Sequence, residues 1–79
     1  MSPQDATRIS QLLDLIEAED AQIIVHDGNM RLTPLKGEQP THAAKQLAVN
    51  LRLRFDITDI EPILKQRVRR PVQVTRTAN

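Results

Sequence analysis

Residues 22–34, QIIVHDGNMRLTP, limit the possible folds more than any other stretch. Two short alternating segments flank Asp27-Gly28, and such a pair is the strongest short-range signal for a two-residue hairpin turn. Glycine adopts positive φ at no steric cost, and Asp tolerates it better than most residues. With Asp27 and Gly28 as the loop, His26 pairs with Asn29, Val25 with Met30, Ile24 with Arg31 and Ile23 with Leu32. One face then carries Ile23, Val25, Met30 and Leu32, and the other Ile24, His26, Asn29 and Arg31. A slip of one residue would turn Arg31 onto the apolar face, so the register is self-consistent. A lone two-stranded ribbon is marginal in water and must lay its apolar face on something.

The flanking segments read as that cover. From Thr7, the residues Ile9, Leu12, Leu13 and Ile16 recur at the i, i+3, i+4, i+7 spacing of one apolar stripe, predicting a helix that ends near Asp20. Residues 1–6 are expected to be flexible, although Ser2-Pro3 or Asp5 offers an alternative start. After Pro34, residues 35–40 read as a loop, and Thr41 as the cap of a second helix over residues 41–54. Its stripe is Ala44, Leu47, Ala48, Leu51 and Phe55. Asp56-Ile57-Thr58-Asp59 reads as a break. A third helix then starts at Thr58-Asp59 with Pro62 in its first turn, where amides have no intrahelical partner. Ile60, Ile63, Leu64 and Val68 form its stripe, and Pro71 is expected to end it. The domain thus spans residues 7–70 and residues 71–79 form a disordered tail. The expectation is an α+β fold in the order helix, two-stranded antiparallel hairpin, helix, helix, with the sheet on the first two helices and the third completing the core. Ile9, Leu12, Leu13, Ile16, Ile23, Val25, Met30, Leu32, Leu47, Leu51, Phe55, Ile60, Ile63 and Leu64 should be buried.

At 79 residues the core of one such domain supplies only ~3–5 kcal/mol net, so support from self-association or a partner is expected. The chain has no Cys, which removes both a disulfide staple and a thiolate metal site. Its two histidines and scattered carboxylates lack metal-ligand spacing, so no metal or cofactor is expected. Phe55 is the sole aromatic residue, which argues against modules that stack bases on aromatic platforms. No apolar run is long enough for a membrane span and no secretory signal is evident, so a cytoplasmic location is expected.

The likeness that these segments carry is to a known small fold. Leu12-Leu13 with Ile16, the Val25-His26-Asp27-Gly28-Asn29-Met30-Arg31-Leu32 hairpin, Pro34-Leu35-Lys36-Gly37, and then Leu47, Leu51, Ile63 and Leu64 resemble the TubC-type N-terminal docking domains of nonribosomal peptide and polyketide synthetases. The resemblance spans about residues 9–64. It implies that a short peptide from an upstream protein adds as a strand to the edge of the second hairpin strand. The site would be Asn29, Met30, Arg31, Leu32 and Thr33, with Arg31 and Lys36 as steering charges. An open sheet edge is a template for strand addition on physical grounds as well.

The expected function is therefore non-catalytic binding of a partner peptide, or of a second copy, through the hairpin edge. The alternative is nucleic-acid binding by the basic cluster Lys65, Arg67, Arg69 and Arg70, where acids are absent. A helix-turn-helix is disfavoured, because Asp59, Glu61 and Pro62 would open the recognition helix. His26 and His42 read as surface residues. No Ser or Thr has a base and orienter in context, and with Gly28 and Gly37 as the two glycines there is no phosphate loop. An enzyme acting on a small-molecule substrate is not expected.

Overall fold

The computed structural model describes residues 2–77, with side chains described through Arg67. The order is α1 (Pro3–Ala18), β1 (Ala21–His26), β2 (Asn29–Pro34), α2 (His42–Arg54) and α3 (Ile57–Thr77). This is the α+β arrangement that the periodicities predict.

Helix α1 starts earlier than the apolar stripe. Ser2 caps it by accepting from the Asp5 amide at 3.2 Å, and Pro3 occupies the first turn, where its missing N–H costs nothing. Residues 3–6, expected to be flexible, are thereby helical. At the other end Asp20 takes φ +58°, and its amide donates to the Glu17 carbonyl at 2.9 Å. That left-handed residue turns the chain from helix into strand, a role more often filled by glycine.

The hairpin has the register derived above, extended by Gln22 with Thr33 and Ala21 with Pro34. Asp27 and Gly28 have φ +54° and +75°, the two positive values of a type I′ turn. The Leu35 amide donates to the Asp20 carbonyl at 2.7 Å and closes the ribbon at its base.

In α2 the Thr41 hydroxyl oxygen accepts from the Ala44 amide at 3.1 Å, and its O–H donates to Glu19 Oε1 at 3.0 Å, tying the cap to the end of α1. The break before α3 is shorter than expected. Phe55 is extended, and the Asp56 carbonyl already accepts from Asp59 and Ile60, so Ile57 is the first helical residue. Pro62 therefore lies in the second turn rather than the first, and the Thr58 carbonyl loses its usual i+4 donor. Pro71 does not end α3, which continues through Thr77. A proline removes one ladder bond, here to the Arg67 carbonyl, without removing those on either side.

Ile9, Ile16, Leu51 and Ile60 are fully buried, joined by Leu13, Ile23 and Ile63 and by Ala21, Ala44 and Ala48. Leu12, Val25, Met30, Leu32, Leu47, Phe55 and Leu64 are half-buried around this centre rather than inside it. The sheet also rests differently from the expectation. Its main contacts are those of β1 with α1 and α3, while α2 packs chiefly on α1. Ala44 and Ala48 let α2 approach α1 closely, and β1 rests on α1 first and on α3 beside it.

Candidate functional site

The hairpin register decides which backbone groups face outward. In an antiparallel pair, alternate residues exchange both hydrogen bonds with their partners, and those between them direct N–H and C=O away from the ladder. His26 and Asn29 flank the two-residue loop and bond to each other, so Ile24 with Arg31 and Gln22 with Thr33 are also bonded pairs. The Leu35 to Asp20 bond continues the same alternation. Ala21, Ile23 and Val25 consequently direct N–H and C=O toward the outer edge of β1, with Ala21 fully buried, Ile23 6% exposed and Val25 half-buried. On β2 the corresponding residues are Met30, Leu32 and Pro34. Pro34 has no N–H, so the donors of the β2 edge are Met30 and Leu32 and that edge ends without one.

The two edges open onto different surroundings. Along β1 runs a groove of about 510 Å³ lined by Gln22, Ile23, Ile24 and Val25 on one side and Glu61, Leu64 and Lys65 on the other. Four consecutive strand residues line it, alternating between the two sheet faces, so the groove runs along the strand's edge. Leu64 makes its floor apolar, and Glu61 and Lys65 stand along α3 one turn apart. Ile24 lies on the outer sheet face among Gln22, His26, Asn29, Arg31 and Thr33, and is 36% exposed. It is the one aliphatic residue above β-carbon size on that face.

The residues expected to bind a partner lie on β2 and in the loop after it. Asn29 and Arg31 are exposed on the outer face, while Met30 and Leu32 turn their side chains toward the core and Thr33 is half-buried. Lys36 is exposed in the loop. A shallower cleft of about 310 Å³ joins Gly28, Asn29 and Met30 to Arg52, Phe55, Asp56 and Ile57 at the α2–α3 junction.

The basic cluster is not a uniform set. Lys65 is exposed on the rim of the β1 groove. Arg67 instead reaches α1, where its Nη2 donates to Asp14 Oδ1 at 2.6 Å and to Glu17 Oε2 at 2.9 Å. Burial pulls down the pKa of this guanidinium, but hydrogen bonds and charge attraction from Glu17 and Asp14 outweigh that and leave it above its ordinary value. Arg67 is thus a clamp between α1 and α3, which sequence reasoning missed. Its signal was the matching pair of acids on one face of α1, one turn apart. Arg69 and Arg70 lie on α3, and their side chains are outside the described residues, as is that of Val68.

His26 Nε2 and Asp27 Oδ2 are 3.4 Å apart beside the turn, both well exposed. His42 Nε2 lies 3.4 Å from Gln46 Nε2 on the surface of α2. Among the described residues no group of three His, Asp or Glu side chains converges as metal ligands would, and no helix is long and apolar enough to cross a membrane. The chain matches no protein-family model, no curated protein and no solved structure.

Proposed function

We propose that this protein is a non-catalytic interaction module that binds another polypeptide by taking it up as an added strand on its hairpin, at the outer edge of β1. The observation that carries the reading is the apolar groove beside that edge. Strand addition draws affinity from main-chain hydrogen bonds and specificity from pockets for alternate side chains. Ile23 and Val25 supply the first, and the groove between β1 and Leu64 supplies the second. The resemblance to synthetase docking domains agrees with strand addition as the mode of binding. In that family the added strand lies on the second hairpin strand, whereas here it is the β1 edge that has the apolar groove beside it. Nucleic-acid binding by the α3 cluster ranks below this reading, because Arg67 is already paired with two carboxylates.

The test is amide hydrogen exchange in dilute solution, with peptides selected from a random displayed library on the immobilised full chain. Bound peptides should slow exchange at Ile23 and Val25 and leave Gln22 and Ile24, already paired within the hairpin, unchanged. Failure to select any peptide, or selected peptides that leave Ile23 and Val25 unaffected, removes the reading.

A further inference from the structure

We infer that the polypeptide taken up at the β1 edge is β1 of a second copy, giving a closed dimer whose four strands run β2, β1, β1, β2 about a two-fold axis. This deepens the proposed function and rests on it. Three features of the groove favour a second copy over an unrelated peptide.

The first is the charge pattern of α3. Glu61 and Lys65 stand on the same rim of the groove, on either side of Leu64. A two-fold axis reverses the direction of the helix in the second copy. The acid of one subunit then lies toward the base of the other, twice over, so the rim is complementary to itself. An axis perpendicular to the sheet also leaves both α3 helices on the same side of it, where the two Leu64 side chains close the groove from each direction.

The second is Ile24. Antiparallel pairing through the outward groups of Ile23 and Val25 is satisfied when Ile23 of one copy faces Val25 of the other. Each such pair exchanges both of its hydrogen bonds. That register sets Ile24 opposite Ile24 at the two-fold axis, in a non-bonded pair where side chains approach most closely. The exposed aliphatic residue on an otherwise polar face is covered by its own copy. A register shifted toward the N-terminus would set Ile24 against Gln22 and leave it uncovered.

The third is the difference between the edges. A β1 to β1 contact uses the same patch on both subunits and closes on itself, while the β2 edge, ending in Pro34, remains outside.

The experiment is sedimentation equilibrium of the full chain over a wide concentration range, with E61K and K65E, each alone and mixed, alongside amide exchange. The wild-type chain should move from 9.0 kDa to about twice that mass as concentration rises. Each single variant should weaken association at least about tenfold, since each places like charges across the axis. An equimolar mixture should recover it, because the two reversed surfaces are opposite to one another. Both substitutions are at the surface, and circular dichroism of the single variants checks that the fold is kept. Ile23 and Val25 should become protected in the dimer while Met30 and Leu32 stay fast.

A chain that remains at 9.0 kDa throughout overturns the inference. So does a dimer that protects Met30 and Leu32 instead, or one indifferent to E61K. If peptides protect Ile23 and Val25 on a chain that stays monomeric, self-pairing fails and the interaction-module reading stands. If neither peptide nor second copy protects them, both fall.

Discussion

Replacing Arg67 by Met isolates what its charge contributes, because Met retains most of the apolar stem and loses the guanidinium. The side chain is 15% exposed, whereas Asp14 and Glu17 are 66% and 51% exposed. The carboxylates are therefore well solvated, and each contact belongs near the surface-pair range of about 0.2–1 kcal/mol. Two contacts to one immobilised donor share its entropy cost, which places the pair of them at roughly 0.5–1.5 kcal/mol. For a domain of this size each kcal/mol shifts the melting temperature by about 4–8 °C. Arg67→Met should thus lower it by roughly 2–12 °C, and Arg67→Ala should lower it further by removing the stem. The assay is thermal unfolding by circular dichroism at low and high salt, with a double-mutant cycle between Arg67→Met and Glu17→Gln. The loss should shrink with added salt, and the cycle should show favourable coupling. A variant as stable as wild type, or a loss without coupling to either acid, would refute the clamp.

Leu51 is fully buried in the last turn of α2, so Leu51→Ala should cost about 2–5 kcal/mol, comparable to the whole expected stability, and urea titration should find the chain largely unfolded. Gly28 has φ +75° with open space where a Cβ would stand, so Gly28→Ala should cost about 1–2 kcal/mol from backbone strain alone, and Gly28→Asn less, read as shifts in urea midpoint. Thr41→Ala removes both the cap on Ala44 and the hydrogen bond to Glu19 and should cost about 1 kcal/mol, whereas Thr41→Ser should recover most of it in the same titration.

The hairpin was legible in the chain because its determinants are local. Asp27-Gly28 sets the turn, and the alternation on each side permits one register. The helical stripes were legible for the same reason. Their ends were less so. Apolar periodicity says nothing of Ser2, which caps α1 before the stripe begins, nor of a proline such as Pro71 within a helix that continues. Ala44 and Ala48 were placed on the stripe of α2 but, with Ala21, left out of the expected core, because a small side chain marks a face weakly and its burial depends on how closely a neighbouring element approaches. The Arg67 clamp and the β1 groove depend on where α3 lies relative to α1 and the sheet. That placement joins residues some fifty positions apart in sequence. Sequence spacing drew attention to an open hairpin edge, but which edge has a groove beside it is a tertiary fact.

Pro34 has a consequence for the upper size of any assembly. A ribbon with two equally receptive edges would join β1 of one molecule to β2 of the next, and each addition would expose a fresh edge for the following copy. Such head-to-tail growth has no natural end and leads toward fibres. Beside Pro34 that edge lacks a donor, and the Arg31 charge lies next to it. Growth from that side is thereby discouraged. If β1 pairs with a second copy as proposed, one imino acid at the end of β2 helps to hold the assembly at two chains.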